Sequence, residues 1–211
     1  HTPWANRAAH FRDNDRISAL YDYSQYILLK PDDPDPYNSR ARLYFKSNEK
    51  DSLKKALRDF TKAIELDSED PEILVNRGST YARLGDKKSA LDDYNQAEKI
   101  NPEYPNTYLN RSLIYNQEES WEKALNDINK YLELKPFKAN IWIEKARLHL
   151  IQKDYEKWIA ASDKAIGMEP NNGLFFYIRS RGFHYFNKAQ AIPLSEGGMV
   201  LCRLPKASRK N

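Results

Sequence analysis

Apolar residues recur at three- and four-residue spacing along much of this chain. Ala90, Leu91, Tyr94, Ala97 and Ile100 make one such stripe and Leu125, Ile128 and Leu132 another, the pattern of helices that bury one face. Asp33-Pro34 and Asp70-Pro71 set an N-cap acceptor before a proline at the first helical position, where the missing N–H costs nothing. A second set of helices is predicted to begin at Asp15, Ser52, Asp86, Ser120 and Asp154, N-cap types that each stand four residues before Ala19, Ala56, Ala90, Ala124 and Trp158. Gly85-Asp86 and Lys153-Asp154 read as tight turns inside helical hairpins. Pro102, Pro136 and Pro170 close the second helices, because proline cannot continue a helix for want of an N–H donor.

A triplet of a small polar, a basic and a small residue, with an aromatic ring three places on, runs through the predicted first helices. It reads Asn6-Arg7-Ala8 with Phe11, Ser39-Arg40-Ala41 with Tyr44, Asn76-Arg77-Gly78 with Tyr81, and Asn110-Arg111-Ser112 with Tyr115. Weaker copies are Glu144-Lys145-Ala146 with His149 and Ile178-Arg179-Ser180 with Phe183. The last four copies are 34 residues apart. Pro102, Pro136 and Pro170 keep the same period, with Ser68 in the preceding slot, as do Ala56, Ala90, Ala124 and Trp158 roughly, and Ala63, Ala97, Tyr131 and Ala165. A fixed period of this length means an array of repeats.

The small residue, the aromatic after it, the two later alanines and the closing proline resemble the tetratricopeptide repeat. The resemblance runs from about Trp4 to Phe186 and implies an all-α fold, a right-handed superhelical solenoid of antiparallel helix pairs. Five repeats fall near residues 1–33, 34–70, 71–104, 105–138 and 139–172, with the first helix of a sixth at 173–186. The array is thus expected over 1–188, followed by a tail or capping segment at 189–211. Tyr44 to Ala56 is twelve residues where Tyr81 to Ala90 is nine, so the turn from Lys46 to Asp51 is expected to carry a three-residue insertion. Trp158 stands where close packing asks for alanine, and the helices there are expected to splay.

Composition narrows the class. The chain is 40% hydrophobic and 30% charged with only 7 Gly among 211 residues, which suits a helical array without one central core. No stretch is long and apolar enough to be a membrane span. Cys202 alone leaves no internal disulfide, which fits a reducing compartment. A cytoplasmic location is favoured over a periplasmic or lipid-anchored one, with a removed leader left open. A net charge of +4 is small for nucleic acid, which asks for a clustered basic face.

Neighbouring residues on a helix point to different faces, so the arginine and the asparagine of the triplet have separate tasks. Asp22, Asp59, Asp93 and Asp127 each follow the first alanine of the second helix by three residues. Where the arginine becomes Lys145 the acid is also lost, to Ala161, so the two slots are expected to pair within a repeat as a planar fork on a carboxylate. Two separately solvated charges are the alternative. In tetratricopeptide repeats the asparagine slot and its neighbours line a concave groove, where an amide can grip a peptide backbone. That resemblance marks Asn38, Arg42, Asn76, Ser79, Arg83, Asn106, Asn110, Asn140 and Arg147 as groove residues, polar at one end and more apolar past Ile143. The pattern of lysines and asparagines by which some family members clamp acidic chaperone tails is missing: with Asn76 at the centre, its flanking slots hold Asn38, Arg42, Asn106 and Asn110.

Catalytic chemistry is hard to find. His1, His10, His149 and His184 are scattered without a second ligand at helical spacing, and His149 reads as a substitute for the packing aromatic. Asp92-Asp93 and Glu118-Glu119 are adjacent acids that diverge, no nucleophile has a base beside it, and no glycine-rich phosphate loop exists. The expectation is a non-catalytic scaffold, with no cofactor or metal, that binds an extended or helical peptide whose acidic side chains the arginines favour. The alternative is a repeat module of a larger enzyme or membrane-associated assembly. Self-association through Trp4, Trp121 and Trp142 is a third reading. After Phe186 the repeat fails, and Met199, Val200, Leu201 and Leu204 either dock on the last helix or belong to a frayed tail.

Overall fold

A computed structural model describes residues 16–47, 49–67 and 69–190. Ten α-helices and no strand occur among them. They form two units that divide between Pro136 and Phe137. The first copy's Asn6, Arg7, Phe11 and Asp15, together with Trp4, Ser68 and the tail from 191 onward, lie outside the described residues. No described helix is long and apolar enough to cross a membrane.

The first unit contains α1 (Arg16–Leu29), α2 (Pro34–Lys46), α3 (Lys50–Leu66), α4 (Pro71–Leu84), α5 (Lys87–Ile100), α6 (Pro105–Gln117) and α7 (Trp121–Leu134). Each helix packs on the next, and α2, α4 and α6 also touch in turn, so the first helices of successive hairpins lie side by side. Asp33 and Asp70 cap their helices as expected, accepting from the Asp35 and Glu72 amides at 3.1 and 2.7 Å. Asp86 does the same for α5 through Ser89 N at 3.0 Å. Ser52 does not: α3 starts at Lys50 behind Glu49 and has 17 residues where α5 has 14. Much of the insertion is therefore wound into helix, one extra turn that keeps backbone groups bonded.

The hairpin turns obey the period as well. Gly85, Glu119 and Lys153 occupy one slot and have φ of +90°, +56° and +59°. Only the glycine takes up that left-handed backbone freely, and a side chain there costs about 1–2 kcal/mol. Further on, α5 and α7 end two residues before Pro102 and Pro136. Ala56, Ala90 and Ala124 are fully buried where second helices meet first ones.

Each described first helix of this unit is tied to its own second helix by an arginine fork. Arg40 meets Asp59 through Nε and Nη2, both at 2.7 Å. Arg77 meets Asp93 at 2.9 and 2.7 Å, and Arg111 meets Asp127 at 2.8 Å twice. Bidentate geometry of this kind fixes the plane of both groups and is stronger than a neutral hydrogen bond. The Asp93 hydrogen bonds raise the hold of Arg77 on its proton, against the cost of burial. The arginine also reaches back, which the sequence reading did not foresee: Arg40 Nη1 donates to Ser24 Oγ at 3.0 Å and Arg111 Nη1 to Asn95 Oδ1 at 2.8 Å and to Glu98. Burial opposes the Arg111 charge, but Asp127 and Glu98 more than offset it and raise its pKa.

The second unit contains α8 (Ala139–Ile151), α9 (Tyr155–Met168) and α10 (Gly173–Gln190), packed in sequence. Asp154 caps α9, and α9 ends two residues before Pro170. Lys145 takes the basic slot with Ala161 opposite, and its ammonium lies 5.1 Å from the Trp142 ring centre instead of on a carboxylate. Arg179 pairs backward, with Asp163 at 2.7 Å on the exposed surface. The bulk of Trp158, only 2% exposed, is taken up against Gly182, where an added Cβ would sit 2.9 Å from Ile159 Cγ1 and 3.4 Å from the indole. His149 is buried in the aromatic slot, with Nδ1 unpartnered.

Two outcomes follow from these contacts. Urea unfolding of Arg77→Ala and of Asp93→Ala should each show a loss of about 3 kcal/mol, since either leaves a buried charge without its partner. The double variant should lose little more than one single variant, whereas Arg179→Ala at the exposed pair should cost under about 1 kcal/mol. For His149, burial depresses the folded pKa, with Lys145 and Lys157 adding to the effect and Asp154 opposing it. The unfolded imidazole, near 6.5, then binds the proton first. The stability due to the neutral ring is present above about pH 6.5 and is lost as the pH falls through and below that value. Replacing His149 with Phe should flatten the pH dependence of melting between about pH 7 and 5.

Candidate functional site

The face formed by α2, α4 and α6 carries the candidate residues that the structure brings together. Asn76, Ser79 and Arg83 lie on one side of α4 at three- and four-residue spacing, and Asn110, Leu113 and Gln117 repeat that spacing on α6. With Phe45, Ala82, Tyr94 and Ile114 they line a cleft of about 470 Å³. Apolar walls surround a small set of polar groups, the usual composition of a binding cleft.

Ser79 is the hub of that cleft. Its hydroxyl donates to the Val75 carbonyl at 2.8 Å, receives the Asn110 side-chain nitrogen at 3.1 Å, and lies 3.2 Å from the Tyr94 hydroxyl. Tyr94 belongs to the second helix α5, yet its ring reaches the first-helix face because Gly78 leaves a gap. A Cβ on Gly78 would stand 2.7 Å from Tyr94 Cε1 and 3.2 Å from the Ala90 carbonyl. Burial raises the Tyr94 phenol to about 12, against the Ser79 bond, which lowers it.

At one edge of the cleft, Arg83 stacks its guanidinium 3.6 Å from the Phe45 ring centre and donates Nη1 to the Phe45 carbonyl at 3.0 Å. On the same helix face, Arg42 is held by Glu72 at 3.1 Å in an exposed ion pair. The two groove arginines of this unit are thus engaged by α2 and α4 themselves. Asn76 Nδ2 is buried in the cleft wall without a hydrogen-bond partner, and Asn38 Oδ1 is buried likewise on α2.

The other predicted residues are not in this cleft. Asn38 is partly buried on α2, and Asn106 is exposed at the start of α6. Asn140 and Arg147 belong to the second unit, where Asn140 is exposed and Arg147 pairs with Glu144 at 2.9 Å. Ile143 is not an open apolar surface: it packs beside Ala139, Ala165 and Phe175. Sequence reading overlooked Tyr94 and Phe45. The signal for Tyr94 was in the triplet series, where Gly78 is the one small residue without a side chain and Tyr94 the ring opposite it.

Residues 71–104 and 139–172 each match the model of the tetratricopeptide repeat family. No curated protein matches the sequence. Among solved structures, a tetratricopeptide repeat protein from Parabacteroides merdae is 25% identical with a TM-score of 0.68, the match covering 90% of this chain and 75% of that one. MamA is 17% identical with a TM-score of 0.72, covering 82% of this chain and 98% of its own, a likeness of fold. The first TPR of Spaghetti, solved with a bound HSP90 peptide, is 25% identical with a TM-score of 0.53, covering 57% of this chain and 93% of that one.

Closing the gap beneath the cleft should disturb both stability and the hub. Gly78→Ala is expected to push the Tyr94 ring aside at a cost of about 1–3 kcal/mol. A crystal structure of the variant should show Tyr94 displaced from Ser79, and an unshifted ring at unchanged melting temperature would contradict this account.

Proposed function

We propose that this chain, a member of the tetratricopeptide repeat family, is an interaction scaffold that holds an extended or helical segment of a partner protein against its first helices. One observation carries the reading: Asn76 and Asn110, from adjacent first helices, line a single cleft of about 470 Å³ with apolar walls. Amides on such a surface can bond to the repeating groups of a peptide whatever its side chains, while Phe45, Leu113 and Ile114 supply apolar contact. The bound HSP90 peptide of the Spaghetti structure supports the same use of the fold.

A clamp for acidic chaperone tails is not part of the proposal. Glu72 places a carboxylate on this face and neutralises Arg42, and an acidic tail would have to displace it or be repelled. Preference for acidic side chains is left to the open edge of Arg83, outside its Phe45 contacts.

A random peptide library panned on the full chain tests the proposal. Peptides selected on the wild type should lose about tenfold or more in affinity to Asn76→Ala combined with Asn110→Ala, read by fluorescence anisotropy. Equal affinities, or selection of no peptide that competes for this face, would remove the groove from the account.

A further inference from the structure

The hydrogen-bond hub beneath the cleft decides what kind of group the cleft can read. Ser79 has one hydroxyl hydrogen, and the Val75 carbonyl 2.8 Å away can only accept, so that hydrogen is committed. Two lone-pair positions remain on Oγ. The Tyr94 hydroxyl at 3.2 Å and the Asn110 amide nitrogen at 3.1 Å fill them, and both must donate. The hub is then saturated, with one bond given and two received.

This saturation fixes the Asn110 amide. Turned over, it would bring Oδ1 against Ser79 Oγ with no hydrogen left between them, two acceptors in contact. The nitrogen therefore faces Ser79 and the oxygen is the end left for a visitor. Asn76 differs: its Nδ2 is buried without a partner, and no hydrogen bond dictates which way that amide lies.

We propose that the cleft between α4 and α6 reads a hydrogen-bond donor at Asn110, the N–H of a neutral peptide unit, and turns away a carboxylate at that point, with Ser79 and Tyr94 as the positioning residues that set this polarity. The proposal rests on the groove reading above and adds a chemical sign to it. A carboxylate brings only acceptors to Asn110 Oδ1, and its charge would be desolvated against an oxygen. A peptide N–H, a primary amide or an ammonium brings a donor.

The test uses the full chain labelled with 15N and three small probes read at the Asn110 side-chain amide by NMR. N-methylacetamide is a peptide unit with donor and acceptor, N,N-dimethylacetamide keeps only the acceptor, and sodium acetate supplies the carboxylate. N-methylacetamide is expected to bind roughly three- to tenfold more tightly than its dimethyl counterpart, the worth of one hydrogen bond, and acetate should leave Asn110 unshifted. Contacts between the Asn110 amide protons and Ser79 Hβ should report the fixed orientation with no probe present. In Ser79→Ala combined with Tyr94→Phe the amide is released and the preference should fall to about one.

The double variant is chosen because Ser79→Ala alone strands the Tyr94 hydroxyl, whereas removing both partners is close to neutral for folding. Equal binding of the two amides, acetate binding at Asn110, a preference that survives the double variant, or no response to any probe would each overturn the proposal. The groove reading is judged separately. Selected peptides that depend on Asn110 while the two amides bind equally would leave the groove standing without the polarity. A donor preference at Asn110 with no groove-binding peptide would do the reverse.

Discussion

The arginine fork between the helices of a hairpin is the constraint on which the first unit depends. In Arg77 and Arg111 the aspartate lies 16 residues ahead, and the backward partner of Arg111, Asn95, lies 16 residues behind. Arg40 has the same backward interval to Ser24 and a forward one of 19 to Asp59, the difference being the inserted turn of α3. One planar group thus ties a first helix to the helix before it and the helix after it. Desolvating both charges is costly, so the net stabilisation of such a pair is modest, but breaking it strands a charge. What the fork contributes above all is geometry, since a bidentate bond tolerates little rotation of either helix.

That fixed rotation determines which residues are left for a partner. With the arginine turned toward α5 or α7, the residue before it is carried about a quarter-turn round the helix and onto the face shared by α2, α4 and α6. Asn76 and Asn110 reach the cleft for this reason, and Ser79 and Leu113 follow three residues on. Gly78 adds a second consequence. By lacking a side chain it lets a phenol from α5 come through the first-helix layer, so a second-helix residue helps to shape a first-helix surface.

Much of the fold was legible because it depends on spacing. The 34-residue period, the small slots, the proline stops and the Arg–Asp pairing all leave marks in residue type at fixed intervals. The parallel loss of arginine and acid at Lys145 and Ala161 was enough to predict the fork. Three features were hidden for physical reasons. The backward partners of the arginines vary among Ser24, Asn95 and Asp163, any of which can accept, so no single residue type marks the slot. The start of α3 at Lys50 depended on whether inserted residues coil or extend, and three added residues close most of one more helical turn. Tyr94 reads from its spacing as a core ring, and nothing in that spacing reveals that its hydroxyl emerges at Ser79.

The candidate site was legible in a weaker sense, since placing an asparagine on the right face does not say what it offers. Asn76 and Asn110 hold equivalent slots on adjacent helices, yet a bond to Ser79 orients one while the other has a buried nitrogen that is bonded to nothing. An amide is ambivalent by construction, donor at one end and acceptor at the other, and its meaning to a ligand is set by whichever end the protein has already used. At Asn110 that choice passes through Ser79, whose single hydrogen is spent on its own helix, and it is kept by Tyr94 from the helix behind. Repeat slots therefore specify position, while polarity is specified by contacts one layer deeper. Two chains with the same groove asparagines can differ in what they bind through residues that never touch the ligand.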